Sequence, residues 1–506
     1  MKILLGIDYG TGGCKVTAID ETGAFAGEAA VEYPTYHDRP GWSEQDPEDW
    51  WSSLCGALAK LSAKGVDLKS VAACALDGST HNAVLLGPSG SGALDRVLAD
   101  RSYRPVRRTI MWTDQRSTAE CAELREKYGE KIFSTCYQMP APTWTLPQMM
   151  WLKVNEPEAL ARTEHVLFVK DYVRYLLTGA AATDRIEAQG TLFFDMAKGA
   201  WDDELVNLSG LRPGQLPDFI APTDVAGRVT PAAAAETGLP EGTPVVCGSS
   251  DSAVEDYGAG AVEPGDLIIK LATAGNVNSM TAEAHPHPKT LTYSHIVPGM
   301  WYSVSATNAA ALCMRWFRDG FYGDCADGAD VWKKIDEEAC ASPVGAGGVV
   351  FHPYLQGERC PYWDADLRAS FTGVSIASGR GDFARALMEG VAFSLRDCYR
   401  TLEEMELPVK RIFLIGGGAR SRLWSEIVAN VFNCTVAVPE PGDASFGACL
   451  LAGVGAGLFP DVKAAVSSCL KIARRIEPDP ALAGAYDGLF GKYRAIHDAL
   501  APVYRR

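Results

Sequence analysis

The 506-residue sequence contains no C-x-x-C pair, although it carries 14 cysteines. Zinc ribbons and thiol–disulfide motifs need that spacing, so neither chemistry is expected. It also lacks a basic excess: 47 Lys and Arg stand against 63 Asp and Glu, for a formal net charge of −16. Nucleic acid and anionic membranes both select a basic face, so neither is expected as the main partner. An anionic small ligand stays open, because local lysines and backbone amides can hold one on an acidic protein. The longest weakly polar run, Phe446 to Phe459, is too short and too glycine-rich to span a bilayer. No signal peptide is expected either, since Met1-Lys2 leads directly into ILLGI. The cysteines then read as reduced, buried small hydrophobes of a cytoplasmic protein.

Two nucleotide signatures are missing as well. The apolar run ILLGI ends in Asp8, followed by Tyr9-Gly10-Thr11-Gly12-Gly13-Cys14-Lys15 and a second strand, Val16 to Ile19. No helix follows these glycines, which excludes the dinucleotide fingerprint. Cys14 separates Gly13 from Lys15, which breaks the Walker A spacing. What remains is a glycine-rich hairpin tip whose backbone amides can cup an anion. Asp8 before it suits a hydrated Mg²⁺, an ion held by one or two carboxylates plus phosphate oxygens.

What is present has the composition of an ordinary soluble globular protein, 47% hydrophobic and 22% charged, and its strand- and helix-like stretches read as an α/β fold. Its length predicts two domains. The Pro-, Gly- and Ala-rich stretch from Pro222 to Pro244 places the boundary there, giving domains 1–244 and 245–506. EQDPEDWW opens a helix with Pro47 at its first position. Asp77-Gly78-Ser79-Thr80-His81-Asn82 is a polar turn between two strands, rich enough in donors and acceptors to read the hydroxyls of a polyol.

The second half opens on VVCGSSDSAVEDYGAGAV. Val245 to Cys247 reads as a strand, Gly248 to Ser250 as its break, and Ser252 to Tyr257 as a helix. Asp251 thus stands at a strand–turn–helix junction, where it suits either a helix cap or a catalytic carboxylate. Asp266 to Leu271, then Ala272-Thr273-Ala274-Gly275-Asn276, then a further strand, echo the first hairpin. Gly416-Gly417-Gly418 separates a strand from a helix and lets a flat ligand approach the backbone. A small-residue helix from Phe446 is expected to pack against that turn. The histidines at 285, 287 and 295 lie in a proline-containing loop and read as non-metal.

IDYGTGGCK, EQDPEDWW, MWTDQR, KDYVRYLLTG, CGSSDSAVEDYGAGAV, LATAGNV, GERCP and LIGGGARSRLW occur in that order between Ile7 and Trp424. Together they resemble the FGGY carbohydrate kinases, most closely the xylulokinase-like branch. The resemblance implies two actin-like (ribonuclease H-like) domains with a cleft between them, and transfer of the γ-phosphoryl group of ATP to a sugar hydroxyl. Asp251 then matches the catalytic base and Asp8 the acid near Mg²⁺-ATP. Thr11, Gly12, Gly13 and Lys15 match the first phosphate loop, Thr273 and Gly275 the second, and Gly417 and Gly418 the adenosine loop. Thr80, His81, Asn82, Asp251, Ser252 and Trp112 are the implied sugar contacts. Xylulokinases carry Met-His-Gly at the turn and Asp-Asn at the base. Here the turn is Thr80-His81-Asn82 and the pair is Asp251-Ser252. Histidine and aspartate stay while their neighbours change.

The implied substrate is a ketopentose such as xylulose or a related polyol, with ribulose, erythritol and glycerol as alternatives. Glycerol is disfavoured because the Arg-Glu substrate pair of glycerol kinases is absent from Ser79–Asn82. An actin- or chaperone-like ATPase shares the phosphate hairpins. A chaperone, however, needs a substrate-binding extension, and this chain ends in a helix over roughly 482–500. A sugar-binding regulator with a dead site is disfavoured by the intact Asp8, Asp251 and glycine loops. Monomer and homodimer both stay open.

Overall fold

Apolar runs bounded by glycine turns make the strands, which we number in chain order for the two main sheets. In a computed structural model of the chain, which describes residues 2–88, 103–323, 330–407 and 409–505, β1 (Ile3–Tyr9), β2 (Gly13–Asp20) and β3 (Phe25–Glu32) form an antiparallel meander. β1 is apolar at nearly every position because it is buried: Ile3, Leu5, Ile7 and Tyr9 share a core with Trp50, Leu54 and Leu58, and the helix Ala444–Gly455 packs on it as well. The helix Pro47–Ala63 starts where expected, with Pro47 in its first turn and Asp46 accepting from the Glu48 amide at 3.0 Å. It returns the chain to β4 (Val71–Gly78), parallel to β1 with Asp8 opposite Asp77. β5 (Val225–Arg228) and β6 (Pro244–Ser250) complete a sheet of order β5-β6-β4-β1-β2-β3.

The pairing of β6 corrects the expected domain boundary. β6 lies parallel to β4, with Val245 opposite Cys74 and Ser250 opposite Gly78, so this strand completes the first sheet. The first compact unit therefore comprises Met1–Gly260, Tyr293–Met300 and Pro441–Leu470. A division at 244/245 would cut the sheet between paired strands. The strand also runs on through Ser250, where the sequence suggested a break after Cys247. Gly248 absorbs the irregularity with φ of 71°, and a Cβ there would lie 1.6 Å from the Leu76 carbonyl oxygen.

The helix Ala444–Gly455 corrects another expectation. It packs in the first unit, on β1 and on the helix Asp251–Gly258. The reason is close backbone approach. A Cβ on Gly6 would lie 1.8 Å from the Ser445 carbonyl oxygen, and one on Gly447 would lie 2.2 Å from that of Val254.

The second unit comprises Ala261–Thr292, Trp301–Glu440 and Lys471–Arg506. Its sheet contains β7 (Asp266–Leu271), β8 (Gly275–Thr281), β9 (Trp301–Thr307), β10 (Arg411–Ile415), β11 (Val436–Pro439) and β12 (Ile472–Ile476). These six lie in the order β9-β8-β7-β10-β11-β12 within a seven-stranded sheet. The directions repeat those of the first sheet: three antiparallel strands, two parallel additions, and an antiparallel edge. The echo between the two hairpins therefore extends over six strands of each sheet. Among the described residues no helix is long and apolar enough to cross a membrane.

Candidate active site

At the tip of the β1–β2 hairpin the Gly10 amide donates to the Gly13 carbonyl at 3.1 Å, closing a tight turn. Thr11 and Gly12 are exposed there. Gln45, from EQDPEDWW, anchors the tip by donating Nε2 to the Thr11 carbonyl at 2.7 Å. The two glycines differ in purpose. Gly13 is needed for packing, since its Cβ would lie 2.9 Å from the Val31 carbonyl oxygen, whereas Gly12 has open space around it. Lys15 does not point freely at a ligand. Its Nζ lies 2.7 Å from Asp443 Oδ2 and 3.0 Å from Glu28 Oε2.

One strand away, the turn after β4 carries the polar set. Asn82 donates Nδ2 to both the carbonyl and the hydroxyl of Ser79 at 2.8 Å, which shapes the turn. His81 takes a left-handed φ of 54°, unusual for histidine, and several groups hold it there. Its amide donates to Glu187 Oε1, Thr145 donates its hydroxyl to the His81 carbonyl at 2.6 Å, and its ring lies 4.9 Å from that of Trp144. Burial lowers the imidazole pKa to about 3, so the ring is neutral at physiological pH. His81 Nδ1 and Asn82 Oδ1 are buried without a hydrogen-bond partner among the described residues. A neutral imidazole and an amide oxygen at the base of a turn suit the hydroxyls of a polyol.

That burial has a stability consequence. The folded state holds His81 unprotonated down to about pH 3, while the unfolded chain takes up a proton near 6.5. Stability contributed by the neutral ring is therefore complete above pH 6.5 and is lost as pH falls below it. The urea midpoint should drop between pH 7 and pH 5, and His81→Gln should shallow that drop.

Asp251 is the first residue of the helix Asp251–Gly258, and Ser250 occupies the cap position. The cap reading of Asp251 is thus replaced by a first-turn acid at the positive end of the helix. Three donors converge on its Oδ1: the Ser252 amide at 2.7 Å, the Thr80 hydroxyl at 3.2 Å and the Ser252 hydroxyl at 3.3 Å. The polar turn and the candidate base are thus joined directly, through residues the sequence had selected for substrate contact. Trp112 stands half-buried in the turn that leads to Arg116. Arg116 pairs with Asp114 at 2.8 Å and with Glu44 at 2.7 Å.

Beneath these residues lies a charged network that sequence reasoning missed. Lys170 Nζ contacts Asp171 Oδ1 at 2.6 Å and Asp184 Oδ2 at 2.9 Å, and Arg174 contacts Asp171 at 3.0 Å, all with fully buried side chains. Arg174 donates to the Cys247 carbonyl at 2.8 Å, and Ser249 donates its hydroxyl to Asp184 at 2.8 Å. Both partners lie on β6, within four residues of Asp251. Glu187 holds the His81 amide, so one network fixes the turn and the strand that carries the base. Its signal was present in KDYVRY and TDRIEAQ, but only burial distinguishes these charges from a solvated helix face.

In the second unit Thr273 is exposed in the β7–β8 turn and accepts from Arg315 Nη2 at 2.8 Å. Gly275 is there for packing: a Cβ would lie 2.8 Å from both Leu395 Cδ2 and Thr307 Cγ2. The three glycines after β10 also separate by purpose. Gly416 has φ of 87°, and a Cβ on Gly418 would lie 2.7 Å from the Leu271 Cβ, while Gly417 is exposed with open space. Gly417 is thus the one glycine of the three that neither backbone conformation nor packing requires. Gly418→Ala should cost roughly 1–3 kcal/mol through overpacking, while Gly417→Ala leaves the melting temperature within experimental error. Equal losses in thermal melts of the two variants would refute this division.

Among the described residues no three His, Cys, Asp or Glu side chains gather as metal ligands. Asp8 is half-buried at the end of β1, and its carboxyl meets that of Asp77. Burial raises the Asp8 pKa to about 7, Asp77 offsets part of this, and Asp251 and Asp443 add to it.

Residues 3–258 match the N-terminal domain model of the FGGY family of carbohydrate kinases, and residues 273–456 match its C-terminal domain model. The chain is 31% identical over 500 residues to the xylulose kinase of Bacillus subtilis, covering 98% of this chain and 97% of that one. It is 29% identical over 503 residues to the xylulose kinase of Escherichia coli, covering 99% of each. The crystal structure of xylulose kinase from Rhodospirillum rubrum superposes with a TM-score of 0.88 at 29% identity, covering 100% of each chain.

Proposed function

The chain belongs to the FGGY family of carbohydrate kinases, and from that premise we propose that it phosphorylates a xylulose-like ketopentose or a related polyol with ATP, Asp251 acting as the base. The observation that carries the proposal is the direct contact between Asp251 and the turn bearing Thr80, His81 and Asn82. Phosphoryl transfer asks the protein for positioning and charge stabilisation, because its loose transition state needs little early deprotonation of the nucleophile. Asp251, at a helix N-terminus and with Oδ1 fixed by donors, suits a carboxylate that orients a hydroxyl and accepts its proton late. The hydroxyl oxygen bonds to the γ-phosphorus, the bond to the β–γ bridging oxygen breaks, and ADP departs.

In the first unit the exposed Thr11 and Gly12 are the backbone positions we assign to phosphate contact; in the second unit, taken by itself, we assign the exposed Thr273 and Gly417 to nucleotide contact. Gly13, Gly275 and Gly418 support them by packing. Lys15 acts through its ion pair with Asp443, which fixes the hairpin to the helix Ala444–Gly455. Mg²⁺ fits this chemistry at Asp8, where carboxyl groups converge around Asp77 oxygens that have no donor among the described residues. When bound, it neutralises phosphate charge. The same reading carries a cytoplasmic location, and light scattering would decide between monomer and homodimer.

A coupled ADP-release assay over ketopentoses, polyols and glycerol tests the proposal. ADP release should depend on a ketopentose or polyol, with glycerol the poorer acceptor. Hydrolysis of ATP indifferent to every sugar would instead favour an actin-like ATPase.

A further inference from the structure

Asp77 is a fully buried acid whose two carboxylate oxygens have no hydrogen-bond partner among the described residues. A carboxylate taken out of water with no donor or cation is costly, and proteins rarely retain one without a use. The side chain that reaches it is another acid, Asp8, which stands opposite Asp77 in the parallel β1–β4 register. Asp251 and Asp443 add further negative charge. Lys15, the cation on this hairpin, is held on Asp443 and Glu28. Two carboxylates in contact without a donor need either a shared proton or a shared cation. Asp8 is half-buried, whereas Asp77 is fully buried.

We propose that Asp77 and Asp8 together form a two-carboxylate seat for a divalent cation, which makes Asp77 a metal-site residue of this chain alongside Asp8. Mg²⁺ keeps most of its shell as water and phosphate oxygen and takes one or two carboxylates from the protein. A pair therefore suffices where three protein ligands are not gathered. Only the phosphates that complete the shell rest on the kinase reading, since both carboxylates belong to the first unit.

The test measures Mn²⁺ binding to the full-length protein by electron paramagnetic resonance, without nucleotide or sugar, alongside thermal melts in EDTA and in Mn²⁺. The proteins compared are wild type, Asp77→Asn, Asp77→Ser and Asp8→Asn. Wild type should bind Mn²⁺, and Asp77→Asn should bind roughly 10–100-fold more weakly. In the thermal melts Asp77→Asn should gain less from Mn²⁺ than wild type does. Asp77→Ser should repeat the binding loss if the asparagine variant folds poorly. Mn²⁺ binding equal to wild type in the Asp77 variants would overturn the proposal, as would a wild type that binds none. A lower melting point in EDTA with unchanged binding would mark Asp77 as a purely structural acid, again overturning it. Failure of the kinase reading would appear elsewhere, as absent sugar-dependent ADP release with Mn²⁺ binding intact.

Discussion

Asp251→Asn should leave the protein folded and lower kcat by about 100-fold to 10⁴-fold. Asparagine keeps the shape of the side chain, and its amide oxygen can still accept from the Ser252 amide and the Thr80 hydroxyl that now meet Oδ1. What it loses is the ability to take the acceptor proton. The helix should survive because Ser250, not Asp251, sits at the cap position. Removing one first-turn acid costs only about 0.3–1 kcal/mol. The loss should appear in kcat with the sugar KM little changed, since proton acceptance belongs to the transition state. Unchanged melting with a collapsed kcat in the ADP-release assay is the expected pair of results. Wild-type turnover by this variant would remove Asp251 from the chemistry.

Lys170→Met is the second large effect, and it falls on stability first. The Lys170 ammonium is fully buried between Asp171 and Asp184. Burial alone would lower its pKa, but the two carboxylates, with Asp171 the stronger, raise it overall, so the lysine is charged. Removing it leaves those acids facing one another with Arg174 as the remaining cation of the network. Breaking a buried ion network at one partner typically costs about 3–5 kcal/mol. The urea midpoint should fall accordingly. The sugar KM should rise in whatever protein stays folded, because Asp184 holds Ser249 on the base-bearing strand and its neighbour Glu187 holds the His81 amide. An unchanged midpoint would mean that the network contributes little.

Much of the site was legible along the chain. The hairpin tip at Gly10–Gly13 and the turn at Ser79–Asn82 depend on signals a few residues long, and both formed where they were read. Asp8 near the end of β1 followed from an apolar run with a clear stop, whereas the strand before Asp251 ran on to Ser250, beyond its apolar run. The glycine loops were only half legible. A glycine needed for packing, such as Gly275 or Gly418, has the same letter as one with open space, such as Gly12 or Gly417. The difference lies in a neighbour such as Leu395 or Leu271, far away in sequence.

By itself, then, the sequence determined the α/β class, the ordered motifs that identify the family, and the residue types available to a phosphoryl-transfer site. Those are local properties, carried by hydrophobic period, turn chemistry and motif order. Only the tertiary structure decided that β6 joins the first sheet beside β4 and that the helix Ala444–Gly455 packs in the first unit. It alone showed Thr80 touching Asp251 and Asp77 buried against Asp8. Strand neighbours and desolvation depend on contacts between residues far apart in the chain, and no short window along it contains both partners. Whether a carboxylate is a solvated surface charge or a buried one needing a cation is settled by what packs over it.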